Sequence, residues 1–98
     1  VSHYRFAWDP DKAHSNAQKH GVSFDEAKAV FEDLWAIQSF DVDHSLNEDR
    51  FMIIGRSERE RLLVVSFTVP DYQTIRIISA RRAQIQERKS YEEKSRSR

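Results

Sequence analysis

The sequence predicts an α+β fold: a small antiparallel β-sheet with two N-terminal helices and one C-terminal helix packed on it. Three observations predict it. Helix start and stop signals crowd the first third of the chain, at Asp9-Pro10, Lys19-His20-Gly21 and Ser23-x-x-Glu26. From Ala36 to Ala80 the chain is a series of apolar, β-branched runs whose polar connections are too short for crossover helices. Beyond Ala83 it is charged and free of glycine and proline, as a solvated helix would be.

Tyr4-Arg-Phe-Ala-Trp8 alternates and is aromatic, so it reads as a strand. Asp9 can cap the next helix, and Pro10 at its first position loses nothing by lacking an N–H. That helix should end at Gly21, with Lys19 and His20 favourably placed against its dipole. Ser23-Phe-Asp-Glu26 has the form of a capping box, in which Ser23 and Glu26 each bond the other's amide. Ala27, Val30, Phe31 and Leu34 follow at helical spacing as the apolar face of a second helix. Strands are expected at Ala36–Val42, Phe51–Gly55, Leu62–Val69 and Ile75–Ala80. Asp43–Asp49 is a polar loop and Pro70–Gln73 a turn. The last helix should run from Ala83 to about Glu93, and Ser95–Arg98 should fray. Trp8 and Trp35 are expected in the core.

Ninety-eight residues make one domain, spanning residues 1–98. Cysteine is absent, which excludes disulfides and thiolate metal sites and fits a reducing cytoplasm. No apolar run is long enough to span a membrane, and Val1–Phe6 lacks the apolar stretch of a signal peptide. The formal net charge of zero hides an asymmetry. Residues 1–49 carry four basic and ten acidic side chains, residues 50–98 twelve and six. A basic half of this kind can present a phosphate-binding face, or the two halves can neutralise each other within one domain.

Ile75-Arg-Ile-Ile-Ser-Ala-Arg-Arg-Ala83 draws attention because a short apolar strand ends in two arginines. Arg81 and Arg82 should sit where strand gives way to helix, where a guanidinium fork can donate paired hydrogen bonds to a phosphate. The plainer alternative is a surface ion pair. The four histidines, His3, His14, His20 and His44, show no paired-ligand spacing. Asp41-Val-Asp43-His44 has carboxylates that would suit a hard cation, but it reads better as a solvated acidic loop. No metal or other cofactor is expected.

The chain resembles the BrnT toxins of bacterial type II toxin–antitoxin systems. The resemblance rests on Phe6-x-Trp8-Asp9-x-x-Lys12-Ala13-x-x-Asn16-x-x-Lys19-His20-Gly21-Val22-Ser23-Phe24-x-x-Ala27 and Val30-Phe31-x-Asp33. It continues through Asp43-His44-Ser45-x-x-Glu48-x-Arg50, Gly55-x-Ser57 and Leu62-Leu-Val-Val65. Arg76-Ile-Ile-Ser-Ala-Arg81 and Glu87-Arg88-x-x-Tyr91 complete it. The resemblance implies a RelE-like fold and a cytoplasmic endoribonuclease that inhibits translation. It further implies neutralisation by a BrnA-type antitoxin with a ribbon-helix-helix domain. Operator DNA would be contacted only through that antitoxin, and the toxin would be dimeric within the complex.

Metal-free RNA cleavage needs a base for the 2′-hydroxyl, cations for the phosphate, and an acid for the departing 5′ oxygen. Arg81 is the first candidate for the phosphate, supported by Arg82, with Arg50 next. Glu48 is either a general base or the partner that orients Arg50, and the partner role is favoured. Histidine exchanges protons near neutrality, which makes His44 and His20 candidates, although a tight helix joint explains His20 as well. Lys19, Arg82, Arg76 and Arg88 are the expected RNA contacts, with Lys19 also suited to the helix C-terminus. Tyr91 can be a proton donor or a packing residue, and packing is favoured. The alternative for the whole chain is a non-catalytic binding partner and co-repressor in such a complex.

Overall fold

In the computed structural model, which describes residues 4–96, β1 (Arg5–Ala7) leads into α1 (Pro10–His20). Asp9 Oδ1 accepts from the Asp11 amide at 2.8 Å, and Pro10 opens the helix. Gly21 ends it at φ +67°, donating its amide to the Ala17 carbonyl at 2.9 Å. Glycine takes this left-handed conformation without a Cβ clash.

α2 (Phe24–Lys28) is shorter than the apolar spacing implies. Ser23 Oγ accepts from the Glu26 amide at 3.0 Å, but the reciprocal half of the capping box is not formed. The Glu26 carboxylate, only 4% exposed, turns to Arg61 and to Ser57 Oγ at 2.7 Å instead. A buried carboxylate gains more from a guanidinium fork than from one backbone amide. The helix then tightens into a 3₁₀ turn over Ala29–Glu32, and Leu34 is left 88% exposed rather than on an apolar face. Gly55 makes room for this turn: a Cβ there would lie 2.9 Å from Val30 Cγ1 and 3.2 Å from the Val30 carbonyl. Asp33 fixes the turn by accepting from the Trp35 amide at 2.9 Å and the Arg56 amide at 2.7 Å.

β2 (Ile37–Phe40), β3 (Arg50–Arg56), β4 (Leu62–Asp71) and β5 (Thr74–Arg82) form the expected antiparallel meander. β1 joins beside β5 in parallel, giving the order β1-β5-β4-β3-β2. β4 runs through Pro70, at a register irregularity between Thr68 and Asp71 where no ladder donor is required. The turn therefore shrinks to Tyr72-Gln73. β5 likewise runs on past Ala80, because β4 continues beside it: Leu63 opposes Arg82, and the Ala83 amide reaches the Leu62 carbonyl at 2.9 Å. Arg81 and Arg82 are thus strand residues, and α3 (Ile85–Arg96) begins later than expected. The last two residues of the expected fray lie outside the described residues.

One face of the sheet carries Ile53, Leu63, Val65, Phe67, Ile75, Ile77 and Ala80 against Val22, Phe24, Ala27 and Val30 of the helical segment. An aromatic chain runs through it, Phe6–Phe31–Phe67–Phe51–Phe40, with ring centroids 5.0–5.6 Å apart. Trp8 packs on this core beside Phe24, whereas Trp35 is half-buried. β1 covers only the start of β5, and α1 covers the rest of that edge. Asn16 there stands in for a strand: its Oδ1 accepts from the Ala80 amide at 3.1 Å, and its Nδ2 donates to the Ala80 carbonyl at 2.8 Å and the Val22 carbonyl at 3.0 Å.

Directly opposed residues share a face. The opposite face therefore carries Arg50, Thr68 and Arg76 in one row, Met52, Ser66 and Ser79 in the next, and Ile54, Val64 and Arg81 in a third. α3 packs toward the far end of β3. The Tyr91 hydroxyl donates to Asp33 Oδ2 at 2.6 Å, and the Arg56 guanidinium lies 5.4 Å from the ring centroid. Tyr91 is buried, and burial together with the Asp33 carboxylate pushes its hydroxyl up to about 12.

Candidate functional site

The first row of the second face is built from β3, β4 and β5. Thr68 lies at its centre, 1% exposed, with Arg50 across one strand boundary and Arg76 across the other. Thr68 Oγ1 and Arg50 Nε are both buried and make no hydrogen bond. Arg50 is half-buried and forms no ion pair among the described residues. Glu48 does not pair with Arg50, as the sequence spacing suggested, but with Arg76, 28 positions away. The pair is about half exposed on both sides.

The loop before β3 forms the rim. Val42–His44 makes a 3₁₀ turn that brings His44 Nδ1 within 3.0–3.1 Å of both Asp41 carboxylate oxygens. Ser45 clamps the loop to the strand by accepting from the Arg50 amide at 3.0 Å while donating to the Asp41 carbonyl. A hollow of about 300 Å³ lies between, lined by Asp43, His44, Leu46, Asn47, Glu48 and Arg50. His44, Glu48, Arg50 and Arg76 thus come together. Thr68 and Ser45 were missed as site residues by the sequence reading, and Asp41 was weighed there only as a metal ligand. The available signals were slight: one of two hydroxyl residues, Ser66 and Thr68, in a largely apolar strand, and a carboxylate three residues before a histidine.

Arg81 stands two rows away in a different environment. Its Nη1 and Nη2 donate to the two carboxylate oxygens of Glu87 at 2.9 and 2.8 Å. Glu87 Oε1 also accepts from the Gln84 amide, so this pair ties β5 to the first turn of α3. The Arg81 guanidinium holds the Glu87 carboxyl below the ordinary carboxylate range, and Glu87 raises Arg81 in return. Arg82, opposite Leu63, belongs to the helix-covered face and is exposed. Arg88 sits on α3, 4.0 Å from Glu92.

Lys19 and His20 lie apart from the arginine row, in a hollow of about 310 Å³ beside the β5 edge with Lys12, Ser15, Asn16 and Ser79. Ser79 belongs to the second face, next to the arginine row in register, so this hollow borders the same surface. Among the described residues, no three histidine, aspartate or glutamate side chains gather in a way that could hold a metal ion. No helix among them is long and apolar enough to cross a membrane.

Comparison with known proteins places the chain. The family model for "Ribonuclease toxin, BrnT, of type II toxin-antitoxin system" matches residues 8–87. The crystal structure of the Brucella abortus ribonuclease toxin BrnT superposes with a TM-score of 0.61 at 23% identity, covering 83% of this chain and 97% of that one. That likeness bears on the fold. No curated protein matches. With four-fifths of its length matched by the family model, this chain belongs to the BrnT family of ribonuclease toxins of type II toxin–antitoxin systems.

Proposed function

We propose that this chain is a metal-independent endoribonuclease that cuts RNA to inhibit translation, working from the Arg50–Thr68–Arg76 row. The observation that carries this reading is Arg50, a half-buried guanidinium with no carboxylate partner among the described residues. Such a cation, in one row of a sheet face with a second arginine, suits an anionic ligand better than it suits the fold alone. In the reaction the 2′ oxygen attacks phosphorus, the bond to the 5′ oxygen breaks, and a 2′,3′-cyclic phosphate remains. Arg50 and Arg76 offset the added negative charge. His44, held by Asp41, and Glu48 are the rim groups that take the 2′-hydroxyl proton and protonate the 5′ oxygen. Lys19, His20 and Lys12 guide the flanking backbone along the bordering hollow. Arg81, two rows along the same face, fixes α3 through Glu87, with Arg82 and Arg88 as outlying RNA contacts.

The partner is a BrnA-type ribbon-helix-helix antitoxin in the same cytoplasm. It supplies the operator contacts and holds the toxin as a dimer in the complex. Purified protein should cut a defined RNA in excess chelator, and its expression without the antitoxin should arrest growth. Intact RNA together with normal growth refutes the reading. The pairing of Arg76 with Glu48 and of Arg81 with Glu87 favours a second reading, a non-catalytic co-repressor in which neither arginine meets RNA. Its signature is operator repression by the complex with no growth defect from the toxin alone.

A further inference from the structure

Two polar atoms in the arginine row are sealed from solvent without a partner, Thr68 Oγ1 and Arg50 Nε. Leaving a polar group buried and unbonded is costly, and a catalytic or binding role is one recognised reason a fold keeps such a group. The third member of the row, Arg76, is occupied by the Glu48 carboxylate. A carboxylate and a phosphate present similar planar or tetrahedral oxygens to a guanidinium fork. Glu48 comes from the loop segment just before β3, which is exposed, so its side chain can leave Arg76 without disturbing the sheet.

We propose that Arg50, Thr68 and Arg76 form a seat for one phosphodiester of RNA, and that Glu48 keeps this seat closed in the free protein. It rests on the ribonuclease reading and deepens it. An incoming phosphate displaces the Glu48 carboxylate from Arg76. Its oxygens then accept from Thr68 Oγ1 and from the guanidiniums on either side. The displaced carboxylate remains beside the bound phosphate and faces the 2′-hydroxyl. Binding and proton transfer are thus coupled: Glu48 becomes available as a base only when the seat is filled.

The test measures binding of a fluorescent 2′-O-methyl oligoribonucleotide, which cannot be cut, at fixed salt. Glu48→Gln removes the closing charge. It should bind roughly fivefold more tightly, as expected for release of a half-exposed ion pair, while cutting ordinary RNA more slowly than the parent. Thr68→Val removes the hydroxyl without changing the volume. It should bind about tenfold more weakly, the loss of a hydrogen bond to a charged oxygen, with thermal stability equal to or above the parent. A merely structural threonine would not weaken binding in a chain of unchanged stability. A wild-type chain that cuts RNA, with both variants binding like the parent, overturns the seat and leaves the ribonuclease reading standing. If the wild-type chain cuts nothing, that reading fails, and inorganic phosphate becomes the probe. Tighter phosphate binding by Glu48→Gln than by the parent then supports the seat, and equal binding overturns it.

Discussion

Asn16 provides the sharpest test of whether a residue lining a candidate hollow serves the fold or the chemistry. It borders the Lys19–His20 hollow, yet its amide is spent on the backbone of Ala80 and Val22. Asn16→Leu keeps the branched outline and the number of side-chain heavy atoms, in a somewhat larger volume, and removes all three hydrogen bonds. It leaves the Ala80 amide and carbonyl and the Val22 carbonyl without that partner in a region where Asn16 is only 7% exposed and Ala80 and Val22 are fully buried. At about 1 kcal/mol each, the low end for an orphaned buried group, the loss is about 3 kcal/mol. For a domain of this size that is a drop in melting temperature of roughly 12–24 °C, and a large share of the 5–15 kcal/mol that typically holds a domain together. Thermal unfolding followed by circular dichroism reads the drop. Hydrogen exchange should show the Ala80 amide losing protection before the rest of β5. A fall of less than 4 °C refutes the reasoning, because Asn16 would then not be closing the sheet edge. Unchanged stability with lost RNA cleavage would reassign it to the active surface.

Three further outcomes follow from the packing. The Glu26 carboxyl is held low by Arg61 and Ser57, and the Glu87 carboxyl by Arg81. Burial pushes Asp33 up, but the Tyr91 hydroxyl and the Arg56 and Trp35 amides outweigh it and leave it lowered. Depressed folded-state values contribute stability above the unfolded carboxylate range near pH 4 that is lost as pH falls through the folded values. The melting temperature should therefore be flat from pH 7 to about pH 5 and fall below about pH 4; a maximum at acid pH would contradict the buried pairs. Tyr91 should not ionise in the native chain until about pH 12, and the alkaline absorbance step assigned by Tyr91→Phe checks this. Gly55→Ala puts a methyl 2.9 Å from Val30 Cγ1 and 3.2 Å from the Val30 carbonyl and Asp33 Oδ2. It should cost about 1–3 kcal/mol in urea unfolding, and a neutral result would mean that the 3₁₀ turn yields freely.

What the sequence made legible was local. Asp9-Pro10 and Gly21 bound α1 because capping and left-handed geometry depend on a few adjacent residues. The meander from β2 to β5 was legible because its connections are short. The failures were long-range. The parallel pairing of β1 with β5 joins the two ends of the chain, and no spacing announces it. α2 was read as too long because its tightening depends on Gly55, 25 positions after Val30. Glu26 satisfied a local capping pattern but is claimed by Arg61, 35 positions on.

The candidate site divides in the same way. Residue types near Arg50 were legible as a cluster because Glu48, His44 and Arg50 lie within one loop and strand start. Their partners were not, since Arg76 and Thr68 arrive only through strand register. Arg81 looked open in sequence because the strand was expected to stop before it. With β5 extended to Arg82, its side chain falls within reach of Glu87.

Whether RNA is cut at the arginine row is decided by single-turnover cleavage of a 5′-labelled RNA in excess chelator, by the parent and by Arg50→Ala. The parent should cut, leaving 2′,3′-cyclic phosphate ends. Arg50→Ala should lose at least about a hundredfold, the scale of removing one charge-stabilising donor, at a melting temperature close to the parent's. Equal cutting by both chains, or none by either, would contradict cleavage at the arginine row.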